Sequence, residues 1–107
     1  MKMRTLTFDV KGQELIKTGN FEKIVAGTKG YLRAYFVCWG NDWRGCKIAA
    51  SFWYGGKEYA VLLDENNSCV IPAEALVGDR FEVSLTGAAK NGNLIKSTKV
   101  IVNQEVI

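Results

Sequence analysis

The sequence predicts an all-β sandwich, folded as a single domain over residues 1–107. Apolar and polar residues alternate over short runs, the period of a strand with one buried face. Clusters of Gly, Asn and Asp interrupt these runs about every 8 to 12 residues, as in chains of many short strands. Helix formers gather only at Ala73-Glu74-Ala75-Leu76, and Gly78 leaves room for one short helical turn near residues 73–77.

Leu6, Phe8 and Val10 alternate with Thr5, Thr7 and Asp9, which predicts a first strand with the apolar set inward. Lys11-Gly12 breaks it, and the polar segment through Thr18-Gly19-Asn20 predicts a short edge strand or an irregular crossing. From Tyr31 to Cys38 the pattern returns, with Leu32, Ala34, Phe36 and Cys38 toward the core and Tyr31, Arg33, Tyr35 and Val37 outward. Gly40-Asn41-Asp42 is a turn, after which Ile48, Ala50 and Phe52 alternate with Lys47, Ala49 and Ser51. Gly55-Gly56 predicts a tight hairpin, because residues without Cβ reach positive φ at little cost, and the return strand carries Tyr59, Val61 and Leu63. Asp64 to Ser68 is a polar turn, and Cys69-Val70-Ile71 is a short strand ended by Pro72. Phe81, Val83 and Leu85 alternate with Arg80, Glu82, Ser84 and Thr86. Asn91-Gly92 marks a hairpin tip, and Leu94 through Val102 closes the fold with Thr98, Val100 and Val102 on one face. About seven or eight strands in this order suit an immunoglobulin-like antiparallel β-sandwich, since each half-buried sheet needs another sheet over its apolar face.

Apolar residues make up 48% of the chain and charged residues 23%, so a packed core is expected and not disorder. The net charge of +3 is spread without a basic run, which argues against nucleic acid as a partner. No stretch of about 18 apolar residues is present and the start, Met1-Lys2-Met3-Arg4, lacks a signal peptide's apolar segment, so neither a membrane nor the general secretory route is expected. Cys38, Cys46 and Cys69 are odd in number, which suits a reducing compartment better than a disulfide framework.

The chain has no histidine, so Ser-His-Asp and Cys-His chemistry is excluded and no enzyme is expected. Asp42, Asp64, Glu65 and Asp79 fall in predicted turns, where Asp serves local backbone hydrogen bonds. Three cysteines without a CxxC pair make a poor zinc site, and the Asp64–Ser68 oxygens lack EF-hand spacing. Gly27-Thr28-Lys29-Gly30 leads into a strand where a nucleic-acid-binding GXXG loop joins helices, and Gly55-Gly56-Lys57 lacks phosphate-loop spacing. No metal or cofactor is expected.

The aromatic residues carry more information. Trp43 precedes a core strand, where a large ring plugs the end of a sandwich. Tyr31, Arg33, Tyr35, Trp39 and Trp53 lie on outward positions. If their strands are sheet neighbours, they form one exposed aromatic and arginine patch, of the composition that dominates binding energy at interfaces; coverage by the chain's own loops or termini is the alternative.

The order of landmarks adds a resemblance. Val25-Ala26-Gly27 leads to an apolar strand, followed by Asp42-Trp43 with Lys47, Phe52 before a tyrosine-bearing strand, Asn67-Ser68-Cys69-Val70-Ile71-Pro72-Ala73-Glu74-Ala75-Leu76, Phe81-Glu82-Val83-Ser84-Leu85-Thr86-Gly87 and a threonine-rich last strand. From about Val25 to Val102 this resembles the immunoglobulin-like domain of tail, baseplate or tail-fibre-associated proteins in phages and prophages of Gram-positive bacteria. The resemblance implies a virion structural module made in the bacterial host cytoplasm, whose partners are other tail or baseplate subunits, further copies of itself, or a host cell-surface glycan. The second expectation is a carbohydrate-binding module using the exposed aromatics.

Overall fold

The computed structural model describes all residues from Met1 to Ile107. Strands β1 (Arg4–Lys11), β2 (Glu14–Thr18), β3 (Leu32–Trp39) and β6 (Ser68–Val70) form the first sheet, in the order β2-β1-β3-β6. The second sheet runs β5-β4-β7, from β5 (Lys57–Leu62), β4 (Lys47–Tyr54) and β7 (Arg80–Ala88). Its other edge is made of β8 (Leu94–Lys96) and β9 (Val100–Asn103), which lie end to end along β7. The fold is therefore the all-β sandwich that the alternation predicts, with nine strands because the closing strand is broken in two.

The inward rows match the sequence pattern. Leu6, Phe8 and Val10 of β1 and Leu32, Ala34 and Phe36 of β3 are buried, and Ile48, Ala50, Phe52, Phe81, Val83 and Leu85 meet them from the second sheet. Phe8 and Phe36 sit opposite each other in register and stack at 5.0 Å, while Phe21 meets Phe8 edge-on at 5.3 Å. Trp43 is buried as expected: its Nε1–H donates to the Gly12 carbonyl at 2.8 Å and its ring lies on the backbone of Gly87. One side chain thus ties the β1–β2 turn to β7 across one end of the core. The expected helical turn is a 3-10 turn at Ala73–Ala75, and Gly55 and Gly56 take φ of 59° and 78° in the β4–β5 hairpin, as a two-residue turn of primed type requires.

Two features depart from the expectation. β1 pairs with β3 in parallel, so the first sheet is not wholly antiparallel. The chain between them makes β2 and then a long return, Gly19–Tyr31, which supplies the crossover that parallel pairing needs. The predicted closing strand breaks at Ser97–Lys99 because Thr98 turns to the other sheet. Its N–H donates to Gln13 O at 2.8 Å, its Oγ1 accepts from the Leu15 N–H at 3.1 Å, and Gln13 Nε2 donates to Lys96 O at 2.9 Å. These bonds close one side of the sandwich by joining the edge of β2 to the broken strand.

Candidate binding surfaces

On the outer face of the first sheet, the register sets Thr5, Thr7, Asp9 and Lys11 of β1 beside Arg33, Tyr35, Val37 and Trp39 of β3, with Val70 flanking Arg33 from β6. Tyr35 is 40% exposed and Trp39 is 56% exposed, with Lys11 Nζ 5.9 Å from the Trp39 ring centroid. The other two predicted members on this side have structural partners. Arg33 donates to Asp64 Oδ2 at 3.1 Å and to Ser68 Oγ at 2.7 Å, and Asp64 also accepts from the N–H groups of Asn66 and Ser68. The Ser68 N–H, followed by weaker contributions from Asn66, the Ser68 hydroxyl and Arg33, holds the Asp64 carboxyl below the ordinary carboxylate value. Arg33 is therefore a clamp on the β5–β6 turn. Tyr31 is half-buried against the core.

Trp53 lies on the opposite side of the molecule, on the outer face of the second sheet. The single five-residue patch does not form, because β3 and β4 belong to different sheets. Their apolar rows face each other across the core, so their outward rows must point apart. The segment between the two strands crosses from sheet to sheet and buries its own Trp43 against the core.

Around Trp53 the structure assembles a polar group that alternation alone does not reveal. Register places Trp53 between Glu58 of β5 and Glu82 of β7, and Ser51 opposite Ser84. The indole Nε1–H donates to Ser84 Oγ at 3.1 Å, and the Ser51 hydroxyl donates to Glu58 Oε2. Both serines occupy outward positions yet are 3% and 8% exposed. Hydroxyls shut off from water need such partners, and each has one here. Lys99 Nζ stands 3.8 Å from the Trp53 ring centroid, close enough for cation–π attraction. Trp53 also divides two shallow clefts. One of about 430 Å3 is lined by Tyr54, Asp79, Arg80, Glu82 and Ile101; the other, of about 250 Å3, by Glu58, Ser84, Thr86, Lys96 and Lys99. The sequence phase puts Ser51 on one face with Trp53 and Ser84 on one face with Glu82, but the Ser51–Ser84 pairing joins residues 33 positions apart and leaves no local signal.

The arrangement offers aromatic surface, hydroxyls and interspersed charges of both signs. No three His, Cys, Asp or Glu side chains converge as a metal ligand set. The three cysteines are unbridged, and burial raises the Cys38 thiol pKa and pushes that of Cys69 up to about 11. No helix is long and apolar enough to cross a membrane. The chain matches no protein-family model and no curated protein.

Proposed function

We propose that this chain is a non-catalytic assembly module of a phage or prophage tail or baseplate, which packs between neighbouring subunits through its two outer sheet faces. The observation that carries this reading is the opposed placement of Tyr35 and Trp39 on one face and Trp53 on the other, which lets two partners bind without overlap. The landmark order from Cys69 to Gly87 supports the tail assignment, and the free thiols suit assembly in a bacterial cytoplasm. Co-expression with the products of the adjacent genes tests it. The wild-type chain is expected to co-purify with one of them at fixed stoichiometry; Trp39→Ala is expected to weaken that complex with unfolding behaviour unchanged, and Trp53→Ala to weaken it with some loss of stability, because it also removes the partner of the Ser84 hydroxyl. Neighbouring genes that encode no tail, baseplate or lysis protein, or a complex indifferent to both substitutions, would overturn the proposal.

The exposure of Trp39 favours a second reading, binding of a host cell-surface glycan by stacking. Lys99 already stands over Trp53, so Trp39 is the ring open to a sugar. Glycan-array binding lost on Trp39→Ala would favour it; no binding at millimolar glycan would exclude it.

A further inference from the structure

The sheet edges of this sandwich are unequal. The edge of β2 is joined to the broken closing strand through Thr98, and Lys17 Nζ adds a bond to Ile101 O at 2.8 Å. β6 is three residues long, and Pro72 follows two residues after its end. β5 is different, with six residues and no proline, bulge or covering segment. The Leu63 N–H donates to Ile48 O at 2.9 Å, so by alternation the N–H and C=O groups of Tyr59 and Val61 also point at β4. Those of Glu58, Ala60 and Leu62 then point away from it, and no other group in the chain bonds them. An open edge of this kind is a template for another strand.

We infer that β5 is a self-association edge, at which two copies of this chain pair antiparallel about a two-fold axis through Ala60 and join their second sheets into one. The register follows from the groups that are free. Centring on Ala60 sets Glu58 opposite Leu62 of the second copy and Ala60 opposite its equivalent, so all three outward-pointing residues form main-chain bonds in both directions. The side chains agree with that register. Tyr59 falls opposite Val61 of the second copy, an aromatic and β-branched pair of the kind that stabilises adjacent strands. Both are only partly buried, so part of their surface remains to be covered, and Leu62 is 65% exposed. No like charges face each other. Lys57, at the start of the strand, arrives opposite Leu63 of the second copy, and the two-fold repeats this contact at the other end. A six-residue edge is a small contact, so a reversible dimer is expected. The inference stands apart from the sheet-face reading, since it uses neither Trp39 nor Trp53.

Sedimentation equilibrium over rising protein concentration tests it, with amide exchange as a second readout. The mass is expected to rise from 11.9 kDa toward twice that value, while exchange at Glu58, Ala60 and Leu62 slows with concentration and exchange at Tyr59 and Val61 does not change. Ala60→Pro removes an N–H that points away from β4, so the intramolecular ladder keeps its bonds and dimerisation is lost. Leu62→Glu, at an exposed side chain, sets a like charge against Glu58 of the second copy on both sides of the two-fold, is expected to weaken the dimer about tenfold, and serves if the proline variant fails to fold. A wild-type chain that stays at 11.9 kDa at every concentration would overturn the inference and leave the sheet-face proposal standing. So would a dimer that survives both edge variants, or one lost on Trp39→Ala.

Discussion

Gly87→Ala adds one methyl group where the core has no room for it. A Cβ at this position would lie 2.9 Å from Cε3 and 3.0 Å from Cζ3 of Trp43, and 3.0 Å from Cγ2 of Ile95. Carbon atoms prefer about 3.5–4.0 Å. The indole cannot easily retreat, being 3% exposed and bonded through Nε1 to Gly12 O at 2.8 Å. Overpacking of this kind costs about 1–3 kcal/mol, and the reduced freedom of the unfolded chain returns about 0.4–1 kcal/mol. The expected net loss is about 1–2 kcal/mol, or a fall in Tm of roughly 4–12 °C for a domain of this size. Urea unfolding followed by circular dichroism measures it, and a double-mutant cycle assigns it. In a Trp43→Leu background, which lacks the two offending ring atoms and leaves only the Ile95 contact, Gly87→Ala is expected to cost about 0.5 kcal/mol, giving a coupling of about 0.5–1.5 kcal/mol. An equal cost in both backgrounds, or a Gly87→Ala chain as stable as wild type, would refute the steric argument.

Three other perturbations follow from single interactions. Thr98→Val removes the acceptor of the Leu15 N–H and is expected to cost about 1–3 kcal/mol and to speed exchange of that amide; unchanged exchange would show that the stitch between the sheets lies elsewhere. The Asp64 carboxyl has a depressed pKa when folded, so its contribution is present above the unfolded value of about 4 and is lost as pH falls through the lower folded value. Asp64→Asn should therefore flatten the acid limb of Tm against pH, and an unaltered limb would contradict that assignment. The Cys69 thiol has a raised pKa, so its contribution is complete below 9.0 and is lost as pH rises toward about 11. In a native sample at pH 8 a thiol reagent should label Cys69 more slowly than the half-buried Cys46, and labelling at equal rates would refute the burial.

Most strands, and the apolar face of each, were legible in the sequence. Alternation is local: Leu6, Phe8 and Val10, or Phe81, Val83 and Leu85, share a face whatever strand lies beside them. The Gly55-Gly56 hairpin and the one-turn helix after Pro72 are also local, set by backbone freedom within a few residues. Which strands are neighbours was legible only in the fold. Pairing joins residues far apart in sequence, so nothing near β1 announces its parallel alignment with β3, and nothing near Thr98 announces its turn toward Gln13 and Leu15. The same holds for the binding surfaces. Outward phase placed Tyr35, Trp39 and Trp53 on outer faces, but the separation of β3 and β4 into two sheets set those aromatics on opposite sides of the molecule. Ser51 and Ser84 looked solvated by phase and are buried, because Trp53 and Glu58 reach them from neighbouring positions that only the register of the folded sheet creates.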